Sequence, residues 1–172
     1  MDDDLYIAKI MRSMLEAFEV AQVQMTTEYD DAIRRLSNHK YDCIFVDNMM
    51  SEKNGLMLTK YIRRAENTEL RTIPIILCTA FTDLQSIINA RDVGVTEILA
   101  KPISPDQIMA KMNTAFFSPR TFIDAKVYAG PDRRRRIRDF GEQDDRRKAD
   151  IPLPAQKENA KDTALDGQTE AE

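Results

Sequence analysis

Three short, almost wholly apolar segments, Cys43-Ile44-Phe45-Val46, Ile75-Ile76-Leu77-Cys78 and Thr96 to Ala100, are separated by stretches of helical period. This alternation constrains the fold more than any other feature of the chain. A strand that is apolar on both sides must be buried on both faces, which requires a parallel sheet with helices above and below. The sequence therefore predicts a doubly wound parallel α/β sheet. A first helix carries the stripe Ile7, Ile10, Met11, Met14, Leu15 and Phe18. A β-branched segment follows over Val20 to Thr26, then a helix over Asp30 to Leu36 and a strand over Tyr41 to Asp47. Asn54-Gly55 reads as a turn before a helix Leu56 to Arg64, a strand Ile73 to Thr79, a helix Leu84 to Val93 and a strand Thr96 to Ala100. Ser104-Pro105 opens a last helix to Phe116.

Long apolar runs stop near residue 120, so the predicted organisation is a folded domain over 1–117, an arginine-rich extension over 118–150 and a disordered acidic tail over 151–172. The chain has no apolar run long enough for a membrane span, and the acidic start Asp2-Asp3-Asp4 is unlike a signal peptide; a cytoplasmic protein is expected. Cys43 and Cys78 sit inside apolar runs and read as buried thiols. With His39 as the single histidine, zinc ligation and a Ser-His or Cys-His catalytic pair are close to excluded. A net charge of −4 argues against a general nucleic-acid partner.

In parallel α/β sheets, chemistry gathers at the carboxyl ends of the strands, and Asp47, Thr79 and Lys101 all fall there. The acidic triplet before the first helix belongs at the same edge. Clustered carboxylates repel unless a cation neutralises them, and Mg2+ suits one or two carboxylates shared with a phosphate. Lys101 can balance a phosphoryl group on Asp47, and the Thr79 hydroxyl can hydrogen-bond to it. Taken singly, each residue has a plain structural role available, as a turn residue, a cap or a solvated charge.

The acidic cluster, Asp47 after its apolar strand, the loop from Met50 to Gly55, Thr79-Ala80 and Lys101-Pro102 together resemble the receiver domain of bacterial response regulators, the CheY-like family, over roughly residues 1–117. The resemblance implies that Asp47 is a phosphoacceptor, Asp2 and Asp3 an acidic metal pair, Thr79 a switch hydroxyl and Lys101 a phosphate-binding lysine. It also implies Mg2+ with the backbone carbonyl of Met49 as a ligand, a cis Lys101-Pro102 bond, and a histidine kinase or phosphotransfer protein as phosphodonor. The chain departs from that pattern in three places. Family members carry an apolar central strand before the acidic pair, whereas only Met1 precedes Asp2, so a receiver lacking its first strand, or a start that is too late, is expected. Ile98 stands where an aromatic switch residue is usual, and Ser51 where proline is.

Arg120 to Asp150 carries ten Lys and Arg against seven Asp and Glu, with five arginines in the six residues Arg133 to Arg138. Guanidinium groups grip phosphate bidentately and pair with the O6/N7 edge of guanine, while a carboxylate such as Asp150 can accept from guanine N–H donors. A solvated basic tail accounts for the same composition, and nucleic-acid binding is disfavoured by the interspersed acids. Tyr128-Ala129-Gly130-Pro131-Asp132-Arg133-Arg134-Arg135-Arg136, followed by Arg146-Arg147 and Asp150, resembles the extension of the CheY-like cyclic-di-GMP effectors, the Cle proteins. That resemblance implies cyclic di-GMP as a regulatory ligand held by Arg133, Arg134, Arg135, Arg136, Arg146, Arg147 and Asp150. It further implies a non-enzymatic adaptor acting on a protein target such as the flagellar motor. The competing expectation is a single-domain response regulator of a phosphorelay, switched at Asp47.

Overall fold

The computed structural model describes residues 1–50 and 54–134, together with the backbone of Asp150 and Ile151. Expectations that fall on Ser51, Arg135, Arg136, Arg146, Arg147 and the tail beyond Ile151 lie outside the described residues. The elements of the described residues are, in order, α1 (Leu5–Ala17), α2 (Tyr29–Asn38), β1 (Ile44–Asp47), α3 (Gly55–Arg63), α4 (Thr68–Thr72), β2 (Ile75–Thr79), α5 (Leu84–Val93), β3 (Glu97–Ala100), α6 (Pro105–Phe117), β4 (Phe122–Asp124), β5 (Ala129–Pro131) and β6 (Asp150–Ile151). Helix starts are written locally. The side chains of Asp4, Asn54, Asn67, Asp83 and Ser104 each accept a backbone N–H of the following turn, and Ser104 forms a reciprocal box with Gln107.

β1, β2 and β3 form a parallel sheet in that order, with Ile44 beside Ile75 and Ile76 beside Glu97. Period-two alternation sends Val46, Ile75 and Leu77 to one face, against Ala32 of α2, Leu58 and Ile62 of α3 and Ala90 of α5. Ile76, Cys78 and Leu99 go to the other face, against Leu15 of α1 and Ile108 of α6. The doubly wound arrangement expected from the apolar runs is present. No helix among the described residues is long and apolar enough to cross a membrane.

The β-branched segment Val20 to Thr26 forms no strand ladder. The reason lies beside it. Among the described residues Met1 lies between this segment and β1; its amino group donates to Phe45 O at 2.8 Å and its carbonyl accepts from Asp47 N at 2.9 Å, while Asp2 N reaches Thr26 O at 3.4 Å. Met1 therefore makes a single parallel bridge, and the rest of the two flanking segments face each other across a groove.

The extension begins with regular structure. β4 and β5 pair as an antiparallel hairpin, and β6 pairs on the other side of β4. Phe122 is fully buried, and Arg120 donates to the carbonyls of Asp132 (2.7 Å) and Thr96, tying both ends of the hairpin to the residue before β3. Gly94, at φ +100°, closes α5 in the left-handed region, and a Cβ on Gly130 would meet its Cα at 2.7 Å, so hairpin and helix end touch backbone to backbone. Beneath them lies Arg63, whose guanidinium donates to the carbonyls of Gly94 (2.9 Å), Arg71 (2.7 Å) and Ile73 (2.8 Å) and sits 5.6 Å from the Phe122 ring. Burial pulls the Arg63 pKa down to about 9, which leaves it cationic at neutral pH.

Candidate functional site

Parallel topology brings the three expected strand-end residues together. Asp47 closes β1, Thr79 closes β2 and Lys101 follows β3. Asp2 joins them because the Met1 bridge pins the preceding residue against the end of β1. The Lys101 ammonium lies 2.7 Å from Asp47 Oδ1 and 3.2 Å from Asp2 Oδ2. The contact with Asp47 is a close ion pair, and Lys101 is the side chain that meets this buried Oδ1. The other oxygen, Oδ2, accepts the backbone N–H of Met49 at 2.8 Å. Asp2 Oδ1 accepts from Asp4 N at 3.0 Å, and Asp4 itself is spent as the cap of α1.

Asp2, Asp3 and Asp47 place one carboxylate oxygen each within 4.8 Å of one another, the first and last buried and Asp3 exposed. Burial raises the Asp47 pKa, and the repulsion of Asp2 adds to it, against the opposing pull of Lys101 and the Met49 N–H. Burial lowers the Lys101 pKa, but its contacts with Asp47 and Asp2 outweigh this and the net shift is upward. One ammonium thus meets two of three clustered carboxylates, leaving their negative charge in excess. A hard divalent cation with oxygen ligands fits that donor set, and acidic clusters of this kind are typical of the Mg2+ site in receiver domains.

Thr79 is buried at the carboxyl end of β2, its hydroxyl accepting the N–H of Phe81 at 3.0 Å, and Lys101 N donates to Thr79 O at 2.9 Å. The Lys101-Pro102 bond is cis. Ile98 packs into the core on the α2 and α3 side.

The arginine segment lies elsewhere. The hairpin sits at the amino ends of β2 and β3, where Arg63 and Arg120 hold it, opposite the end that carries Asp47. The Arg133 guanidinium lies 4.7 Å over the Tyr128 ring and 3.3 Å from Asp92, and Arg134 N donates to Asp132 Oδ1 at 3.0 Å. For Asp150 the structure gives only its backbone, which lies in β6 and pairs with Ile123 of β4. Sequence reasoning missed Arg63 and Arg120. The available signal for Arg63 was a charge next to Ile62 on the apolar stripe of α3, a position where an unpaired arginine would be costly.

A parallel α/β sheet with an acidic cluster, a threonine and a lysine at its carboxyl edge defines a receiver-type signalling module rather than a conventional enzyme. The chain belongs to the response regulator receiver domain family, which matches residues 1–113. It is 28% identical over 112 residues to the transcriptional regulatory protein DltR of Streptococcus agalactiae, covering 65% of this chain and 48% of DltR. It is 32% identical over 88 residues to the response regulator ArlR of Staphylococcus aureus, covering 50% of this chain and 38% of ArlR. The chain thus spans about half or less of the length of these relatives. Among solved structures it is similar to the chemotaxis protein CheY4 of Vibrio cholerae, with TM-score 0.60, 21% identity and coverage of 65% of this chain and 91% of that one. It is also similar to the receiver domain of the sensor histidine kinase PA1611 of Pseudomonas aeruginosa, with TM-score 0.58, 25% identity and coverage of 66% and 88%; that structure has magnesium coordinated in its active-site cleft. Receiver domains accept phosphate from histidine kinases.

Proposed function

We propose that this chain is a two-component receiver switched by phosphorylation of Asp47. The observation that carries the reading is the buried Asp47 carboxylate at a strand end, facing Lys101 at 2.7 Å and clustered with Asp2 and Asp3. The phosphodonor is a phosphohistidine of a histidine kinase or phosphotransfer protein. An Asp47 oxygen attacks phosphorus, the bond between phosphorus and the donor imidazole nitrogen breaks, and that nitrogen takes up a proton as the acyl phosphate forms. Lys101, already paired with Asp47, shifts its charge to the phosphoryl oxygens. Mg2+, held by Asp2, Asp3, Asp47 and the Met49 carbonyl, would neutralise the charge that gathers between donor and acceptor. A Thr79 hydroxyl that turns toward the phosphoryl group gives up the Phe81 N–H, which loosens the loop leading into α5. Incubation with acetyl phosphate and Mg2+ tests the reading: a phosphoryl adduct forms on the chain and is absent in Asp47→Asn.

A second reading concerns the extension as a cyclic di-GMP sensor passing its signal to a protein target such as the flagellar motor. One observation favours it. The arginine run begins on a hairpin tied to the folded body, with Arg133 stacked on Tyr128, rather than on a free tail. Arg133 and Arg134 would supply the first phosphate and guanine contacts, joined by Arg135, Arg136, Arg146, Arg147 and Asp150. Calorimetric titration of cyclic di-GMP into the chain and into the Arg134→Ala/Arg147→Ala variant tests this reading: saturable binding confined to the unsubstituted chain supports it, and no binding removes it.

A further inference from the structure

Helix α5 runs from the Asp47 edge of the sheet to the hairpin of the extension, and its two ends are held in different ways. At its amino end, Thr79 Oγ1 fixes the Phe81 N–H at 3.0 Å, and Asp83 caps the first turn through Ser86 N. Beyond the cap the helix stands clear of the core, with Leu84 74% and Ile87 38% exposed. Ala90 is the α5 residue that the core buries. At its carboxyl end the helix is clamped by the hairpin. A Cβ on Gly94 would lie 2.6 Å from Ala129 O, and one on Gly130 would lie 2.7 Å from Gly94 Cα, so no side chain fits between them. Arg63 Nε donates to Gly94 O at 2.9 Å, and Arg120 donates to the Thr96 carbonyl two residues on. Asp92, in the last turn, meets the Arg133 guanidinium at 3.3 Å.

These anchors differ in strength. The buried Arg63 bond and the backbone contact of Gly94 with Gly130 fix a pivot at the helix end. The Arg133–Asp92 pair is exposed on both sides, at 48% and 42%, and such pairs hold weakly. When it opens, neither charge is stranded: Asp92 keeps Arg91 at 3.0 Å, and Arg133 keeps its place 4.7 Å from the Tyr128 ring. A helix with so little buried surface has little seating of its own, so its two ends set its position. We propose that α5 is a lever coupling the Asp47 site to the extension: when Thr79 gives up the Phe81 N–H, the amino end is freed, the helix swings about Gly94, and Arg133 parts from Asp92. The trigger rests on the reading of Asp47 as a phosphoacceptor; the mechanical link does not. In the docked state Thr79 holds Phe81 and Asp92 holds Arg133; in the released state both contacts are open. Arg133 is thereby offered to an anionic partner once Thr79 has turned, and withheld on Asp92 before that. Coupling of this kind is reciprocal, so loss of the Arg133 contact also loosens Phe81.

The full chain is compared by NMR with Thr79→Val, which keeps the side-chain shape without the hydroxyl, with Thr79→Ser, which keeps the hydroxyl, and with Arg133→Ala. The readouts are proton exchange of the Arg133 guanidinium and of the Phe81 amide, with the Ile44 amide, bonded to Pro74 O at 2.9 Å in the sheet, as internal control. In Thr79→Val the Arg133 exchange is expected to rise roughly threefold to fivefold, the range that an exposed ion pair can transmit. Thr79→Ser should leave it at the native rate. Arg133→Ala should raise Phe81 exchange by a similar factor and leave Ile44 unchanged. In the unsubstituted chain, Mg2+ with beryllofluoride, a phosphoryl mimic, should move Arg133 as Thr79→Val does. If both variants behave in this way and beryllofluoride does not bind, the lever stands and the reading of Asp47 falls. Bound beryllofluoride with Arg133 exchange unchanged overturns the lever, as does native Arg133 exchange in Thr79→Val. A rise at Ile44 as large as that at Phe81 in Arg133→Ala overturns it too, because the substitution then acts through the whole fold.

Discussion

Arg63→Ala tests whether the extension is part of the folded body. In the native chain the Arg63 guanidinium donates to three buried carbonyls, at Gly94, Arg71 and Ile73, at 2.7 to 2.9 Å, with Thr96 Oγ1 a weaker partner at 3.2 Å. A net hydrogen bond to a charged group is worth about 1.5–3 kcal/mol, so the three strong ones alone exceed about 4 kcal/mol. Water entering the vacated space recovers part of this, giving an expected loss of about 3–5 kcal/mol. That is a large fraction of the stability of an ordinary domain. The assay is urea unfolding of the full chain at equilibrium, which should show a lower midpoint with an unchanged slope. Limited proteolysis should then cut between Arg120 and Arg134, because Phe122 loses the guanidinium over its ring and Gly94 no longer anchors the hairpin. Arg63→Lys, with one ammonium in place of the fork, should recover less than half of the loss. A loss under about 1 kcal/mol for Arg63→Ala, with the hairpin still protected, would refute the assignment of Arg63 as the anchor.

Three further outcomes are expected. Gly55→Ala places a Cβ 2.4 Å from Asp47 O and 2.9 Å from Val46 Cγ2, a backbone clash that should cost about 1–3 kcal/mol in chemical denaturation and weaken Mg2+ binding by displacing Asp47. Because burial raises the Asp47 pKa, its ionised form costs the folded state, so Asp47→Asn should raise the thermal midpoint in chelator, while added Mg2+ stabilises the unsubstituted chain alone; scanning calorimetry with and without Mg2+ separates the two effects. Slight burial works against it, but Arg91 and Arg133 hold the Asp92 pKa below its ordinary value, so its contribution is full above that value and lost as pH falls through the lowered one. NMR titration of the Arg133 side chain should show its contact with Asp92 released only once pH falls below the ordinary carboxylate range, and no release there would contradict the pair.

The strand ends were legible because burial on both faces leaves an unmistakable apolar run, and the first polar residue after each run, Asp47, Thr79 or Lys101, marks where the strand meets solvent. The start of α6 was legible from its cap, Ser104 ahead of Pro105, and that of α3 from the turn Asn54-Gly55. Harder to read was anything whose stability comes from distant contacts. β4 and β5 have three residues each and no usable period; they exist because Arg120 reaches Thr96 and because Phe122 is buried beside Arg63, links that span more than twenty residues of sequence. The five-residue α4 falls below the length at which a helical stripe can be seen. Val20 to Thr26 carries strand-forming residues, yet has one backbone bond from Asp2 and no ladder, since a strand is defined by its neighbour as much as by its own side chains. At the site, the acidic residues were visible, but the division of labour was not: Asp4 caps α1, while Asp2 turns inward to Lys101.

Asp47, Lys101 and the Asp2/Asp3 pair are proposed to form one phosphoryl-accepting site. Its most direct measurement is intact-mass analysis of the full chain after incubation with acetyl phosphate, with Mg2+ or with chelator, followed by borohydride trapping to locate the acyl phosphate. The expected result is a single phosphoryl adduct that requires Mg2+, maps to Asp47 and disappears in Asp47→Asn. An adduct at another residue, or none at all in a chain shown to be folded and to bind Mg2+, would contradict it.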